Sequence, residues 1–69
     1  MSYKQALKQA EKVGASKAEG DALLAQTCSL LAHIHAINPE LVYQGAKKKN
    51  LTARELVKLG PAVGDLMFV

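Results

Sequence analysis

The longest apolar segment of the chain spans residues 17–37 and contains almost no charge beyond its first turn. Ser16, followed three residues later by Glu19, predicts a capping box at the start of a helix. The Asn38-Pro39 pair predicts the end of that helix, because proline has no amide to donate and restricts the residue before it. A helix that is apolar nearly all round is buried nearly all round. We therefore expect a long central helix around which the other segments pack.

Two different faces run along this central helix when successive residues are placed about 100° apart. One face is broad and bulky, and it consists of Leu23, Leu24, Thr27, Cys28, Leu30, Leu31, Ile34 and Ile37. The other is a stripe of small residues spaced alternately three and four apart, as in a helix–helix seam: Ala22, Ala25, Ser29, Ala32 and Ala36. Either another helix of the same chain or a second copy can cover the small stripe. We expect self-association along it, which makes the protein a homodimer.

The length of 69 residues fits one domain, residues 1–69. A chain this short buries only about 60% of its unfolded surface, so oligomerisation often supports it. Cys28 is the single cysteine, which excludes an intrachain disulfide and favours a small buried side chain. The lone cysteine and the lack of a recognisable signal peptide predict a cytoplasmic protein. No apolar run reaches the roughly 20 residues that span a bilayer, so we expect no membrane partner.

Three further helices are predicted, one before the central helix and two after it. Ser2 and Gly14 bound a helix over residues 3–13, and Asn38 caps a helix over residues 39–49. Thr52 and Glu55 form a capping box for a helix over residues 53–59. The apolar tail, residues 61–69, is either one more short helix or an extended segment. The predicted fold is all-α, a small bundle of four or five short helices.

No pattern in the sequence indicates a catalytic or metal site. His33 and His35 are two residues apart, so they point in different directions on a helix, whereas metal ligands on one face need a spacing of three or four. Cys28 lies about 10 Å along the helix axis from His35, too far for a nucleophile and its base. We expect no enzyme, no cofactor, no metal and no small-molecule substrate.

A basic cluster lies at the junction of the last two predicted helices: Lys47, Lys48, Lys49, Arg54 and Lys58. With a net charge of +3, the chain suits an acidic partner. The leading hypothesis is a small adaptor, inhibitor or regulator, of bacterial or phage type, that binds another protein. In this hypothesis the cluster steers association, and Tyr43 and Phe68 are apolar anchors.

The alternative is a nucleic-acid-binding transcriptional regulator, in which the same cations neutralise phosphates. Two helices joined by a short turn beside cations are typical of helix-turn-helix modules. Against this, the segment from Pro61 onward contains Asp65 and no Arg, Lys, Asn or Gln to read base edges.

Overall fold

Four α-helices and a 3-10 helix make up the part of the chain that the structure describes. The computed structural model describes residues 2–14 and 16–68, with side chains as far as Leu66. The elements are α1 (Tyr3–Val13), α2 (Gly20–His35), α3 (Pro39–Lys48), α4 (Ala53–Leu59) and the 3-10 helix (Gly60–Phe68). Within those ranges there is no β-strand. The all-α prediction is therefore confirmed.

The starts of α1, α3 and α4 follow from side chains that cap their first amides. The Ser2 hydroxyl accepts a hydrogen bond from the amide of Gln5, and the Gln5 side chain accepts one from the amide of Ser2. Thr52 and Glu55 make the same reciprocal pair at α4. Both are capping boxes, in which each side chain satisfies an amide that has no intrahelical partner.

Helix α3 starts with a simpler cap. The side-chain oxygen of Asn38 accepts a hydrogen bond from the amide of Glu40, at 3.0 Å. Pro39 occupies the first helical position, where its missing amide costs nothing. Helix α3 ends at Lys48, one residue before the predicted limit.

Helix α2 is shorter than the long helix that the sequence predicts. It has 16 residues, and Glu19 at its N-cap makes no side-chain capping bond, so the expected capping box with Ser16 does not form. The reason lies in Gly20, whose φ of +59° turns the backbone out of the right-handed path. At the other end, Ala36 adopts the left-handed conformation and terminates the helix.

The core lies where α2 meets every other element of the fold. Its larger fully buried side chains are Leu56, Val42, Val63 and Cys28. Helix α1 makes the most extensive contact with α2, and there the buried residues are small: Ala10, Ala18 and Ala22 form a separate cluster. Alanines let the two backbones approach closely, so α1 packs back on α2 and the two helices form a helical hairpin.

The C-terminal segment packs back on the bundle as a 3-10 helix. Gly60, with a φ of +57°, breaks the chain out of α4. Val63 and Leu66 are then buried in the core, and the segment lies mainly against α3. Of the two alternatives for the tail, a short helix is the one observed. Phe68, expected as an anchor, has a side chain that lies outside the described part of the structure.

None of the helices in the described ranges combines the length and the apolar character needed to cross a membrane.

Candidate interaction surface

The basic cluster occupies the end of α3 and the exposed side of α4. Lys47 and Lys48 are in the last turn of α3, and Lys49 is its C-cap. Arg54 and Lys58 are four residues apart, so they share one face of α4. All five side chains are exposed. The structure therefore presents the predicted cations at the surface, on either side of a tight turn.

One cation of this cluster already has a counter-ion. The Nζ atom of Lys47 donates a hydrogen bond to Oδ1 of Asp21, at 2.7 Å, and so joins the end of α3 to the start of α2. This hydrogen bond raises the pKa of Lys47 above its ordinary value. Among the described side chains, Lys48, Lys49, Arg54 and Lys58 form no ion pair. They are the members of the cluster available to an external anionic group.

Beside these cations lies an open groove between the start of α2 and the start of α4, which we name the α2–α4 groove. It encloses about 550 Å³ and is lined by Gly20, Asp21, Leu23, Leu24, Leu51, Thr52, Ala53 and Arg54. Leu23, 37% exposed, and Leu51 supply apolar wall, and Arg54 supplies a cation at the same opening. The groove thus offers apolar surface next to the positive charge of Arg54, while the carboxylate of Asp21 in its wall is paired with Lys47.

Tyr43 is not available as the surface anchor that the sequence suggests, because only 3% of it is exposed. Its ring contacts that of Tyr3, with centroids 5.8 Å apart and planes tilted by 57°, a favourable arrangement for two aromatic rings. Burial is the main reason that the pKa of Tyr43 is raised. Tyr43 belongs to the core and shows only an edge in a shallow groove that it shares with Gln44 and Lys48.

The small stripe of α2 is covered by the chain itself. Ala22, Ala25 and Ala32 are at most 6% exposed, and Ser29 is partly buried. Helix α1 lies on this side of α2, so three alanines of the expected self-association stripe are inaccessible to a second copy in this fold. Ala36 is exposed, but it forms the left-handed end of the helix rather than part of a helical face.

Part of the bulky face of α2 is instead open to solvent. Leu30 is 62% exposed and Ile34 is 68% exposed, and they are four residues apart on one face. We name this pair the α2 ridge. Sequence reasoning placed both residues in the core. A sequence signal was present, because Leu30 and Ile34 point about 80° or more away from Cys28 and Leu24 around the helix axis. A single neighbouring helix does not cover so wide an arc.

The remaining candidates for chemistry do not come together. Cys28 is fully buried, and burial raises the pKa of its thiol to about 12, so it is not a nucleophile at neutral pH. His33 is exposed and His35 is partly buried near the end of α2. Over the described residues, no three His, Cys, Asp or Glu side chains are grouped so that they could hold a metal ion.

No family model matches the chain, and no curated protein or solved structure is significantly similar to it.

Proposed function

We propose that this chain is a small non-enzymatic helical protein that binds another protein in the cytoplasm, as an adaptor, inhibitor or regulator. The observation that carries this proposal is the α2–α4 groove, which is lined largely by apolar residues and bordered by Arg54, one of the cations that pair with no described carboxylate. Interfaces of this kind combine a desolvated apolar centre with a polar rim.

The groove specifies the chemistry of the partner. An aliphatic or aromatic side chain of the partner would lie between Leu23 and Leu51 and displace water from both. Acidic groups beside it would meet Arg54, Lys49 and Lys58, which raise the association rate and fix the orientation. A helical or extended segment with one apolar anchor flanked by Asp or Glu is the partner that fits best.

The test is affinity capture from nuclease-treated lysate at moderate salt, with four variants in parallel. Leu23→Glu and Arg54→Glu alter the groove. Leu41→Glu and Lys8→Glu are the matched controls, because Leu41 is 38% exposed against 37% for Leu23, and Lys8 is an exposed cation on α1.

A genuine partner is retained by wild type and both controls and is lost with both groove variants. Its purified form should then bind wild type at least roughly tenfold more tightly than either groove variant. If every captured protein is retained equally by all five forms, the groove is not the binding site and the proposal fails.

The second candidate, a nucleic-acid-binding regulator, is favoured by the four cations around the α3–α4 turn that have no ion-pair partner among the described residues. In this fold the segment after Gly60 is a 3-10 helix held in the core by Val63 and Leu66, so it does not serve as a recognition helix. Phosphate contacts would therefore have to come from Lys48, Lys49, Arg54 and Lys58 alone.

Salt dependence distinguishes the two candidates. If four cations neutralise phosphates on duplex DNA, the logarithm of the affinity should fall with the logarithm of salt concentration with a slope of about −3.6. Fluorescence anisotropy with a labelled duplex measures this slope, and Lys49→Gln should reduce it by about one unit. Binding to a protein through the α2–α4 groove should depend far less on salt, because its centre is apolar.

A further inference from the structure

The α2 ridge is the most exposed apolar part of α2, and no described segment of the chain covers it. Leu30 and Ile34 expose 62% and 68% of their surface, whereas Leu24 and Cys28, further round the same helix, are at most 4% exposed. Leu30 lies seven residues after Leu23, so both are on the same side of α2, about 10 Å apart along the axis. Neither Leu30 nor Ile34 lines the α2–α4 groove. Adjacent exposed apolar side chains on one helix face usually mark an interaction site.

The charge distribution indicates which occupant suits this ridge. From Ala22 to Pro39 the chain contains no Asp, Glu, Lys or Arg, although the whole chain has 9 basic and 6 acidic residues and a net charge of +3. Two copies that approach each other through most other surfaces bring lysines together, which is repulsive. At the ridge, α2 contributes no Lys, Arg, Asp or Glu, and the charged side chain that lines the adjoining recess is Glu11 of α1 rather than a lysine. An acidic partner would gain no attraction there.

The shape of the surface also suits a second copy. On the α1 side of the ridge lies a recess of about 370 Å³, lined by Leu7, Ala10, Glu11, Gln26, Ser29 and Leu30 itself. A two-fold symmetric interface uses the same patch on both molecules, so the patch must be complementary to itself. A projection beside a recess meets that requirement, because the ridge of each copy can enter the recess of the other.

We propose that the α2 ridge, Leu30 and Ile34, is the interface through which two copies of this chain associate. This differs from the expected seam along the alanine stripe, which α1 covers. A standard interface takes about 800 Å² from each partner, roughly a sixth of the 4581 Å² that this chain exposes. Two exposed side chains and one recess form a small patch beside such an interface, so we expect a weak dimer with a dissociation constant in the micromolar range.

Because neither ridge residue lines the α2–α4 groove, a contact confined to Leu30, Ile34 and the recess would leave both grooves open. Each dimer would then carry two partner sites, and a partner with two matching segments would bind more tightly than either groove allows alone.

Sedimentation equilibrium from about 1 µM to about 1 mM protein tests the proposal, over the range in which a micromolar dimer forms. Wild type should change from a 7.4 kDa monomer toward twice that mass. Leu30→Glu and Ile34→Glu should each raise the dissociation constant by at least roughly 100-fold, because pairing would bury a carboxylate. Both positions are exposed, so these variants should keep the wild-type circular dichroism spectrum and melting temperature.

The matched control is Val57→Glu on α4, because Val57 is 60% exposed and lies outside the ridge. It should dimerise like wild type. Added salt should leave the dimer unchanged or strengthen it slightly, since it screens the residual repulsion between two positive chains. A wild-type chain that stays monomeric at about 1 mM, or a Val57→Glu effect as large as that of Ile34→Glu, would overturn the proposal.

The same variants separate this proposal from the proposed function. Arg54→Glu should abolish capture of an acidic partner and leave the monomer–dimer equilibrium intact. Ile34→Glu should abolish the dimer and leave the intrinsic affinity of one groove intact, as measured with the partner in solution. Each result therefore bears on one surface alone.

Discussion

Gly45 of α3 lies directly against the backbone of Leu66 in the C-terminal 3-10 helix. A Cβ atom at position 45 would lie 2.5 Å from the carbonyl oxygen of Leu66 and 2.8 Å from its Cβ. Gly45→Ala should therefore force the two helices apart and lower the free energy of unfolding by about 1–3 kcal/mol. The cost of this clash should exceed the gain of about 1 kcal/mol from the higher helix propensity of alanine, so the net effect should be a loss of stability. Urea unfolding followed by circular dichroism measures the difference.

Gly64→Ala is the matched control in the same pair of elements. Among the described residues, no heavy atom beyond its chain neighbours lies within 4 Å of a Cβ at position 64. Its backbone is not left-handed, so this variant should be as stable as wild type or slightly more stable. If Gly45→Ala is equally well tolerated, the C-terminal helix does not pack closely on α3 in solution.

The helix starts could be predicted because their causes are local. Ser2, Asn38 and Thr52 each satisfy an amide two or three residues further along the chain, so the sequence contains both partners of the interaction. Gly20 shows the limit of such rules. Ser16 and Glu19 have the spacing of a capping box, yet the left-handed backbone of Gly20 lies between them and the regular helix.

The partners of α2 could not be predicted from its own sequence. Periodicity defines a small face and a bulky face, but which one a short chain covers depends on the directions of the other helices. Here α1 covers the alanines, and Ile34 stays exposed. The candidate interaction surface could likewise be predicted only in part. The cations of α4 are visible in the sequence, whereas the groove requires Leu23 and Leu51, which are distant in sequence, to line the same opening.

Ala36 ends α2 with a φ of +55° and a ψ of +46°, a conformation that alanine rarely adopts. The amide of Ile37 donates to the carbonyl oxygen of Ala32, at 3.0 Å, so the turn is of the Schellman type and favours glycine at this position. Ala36→Gly should raise the free energy of unfolding by about 0.5–1 kcal/mol, after allowance for the greater freedom of glycine in the unfolded chain.

A substitution series at position 36 provides the control, because the residue is exposed and loses no packing. Thermal unfolding should rank the variants Gly, Asn, Ala and Val from most to least stable, since a β-branched residue fits the left-handed region worst. If Ala36→Val melts as high as Ala36→Gly, α2 does not end in this conformation in solution.

The ion pair between Asp21 and Lys47 should make stability depend on pH in the alkaline range. Because the hydrogen bond to Asp21 raises the pKa of Lys47 above the ordinary lysine value of 10.5, the pair stabilises the fold below that pH. The stabilisation is lost as the pH rises through the raised value. In Asp21→Asn the pKa of Lys47 should return toward 10.5, as measured by NMR titration of its ε-carbon. Glu40→Gln removes another carboxylate near α3 and should leave the titration of Lys47 unchanged.

Cys28 should react with thiol reagents only when the protein opens. Its side chain is fully buried, and its pKa of about 12 leaves roughly one thiolate in 10⁴ at about pH 8. The rate of modification by Ellman's reagent should therefore be very low without denaturant and should rise with urea in proportion to the unfolded fraction.

The control for this measurement is Val57→Cys in a Cys28→Ala background, which places the single thiol on the exposed side of α4. That thiol should react rapidly at every urea concentration, because no opening is needed to reach it. Rapid, urea-independent modification of Cys28 in the wild-type chain would mean that the contact of α2 with α3 and α4 is far looser than the structure indicates. Slow modification that follows unfolding would identify Cys28 as a core residue and give a direct measure of how often that core opens.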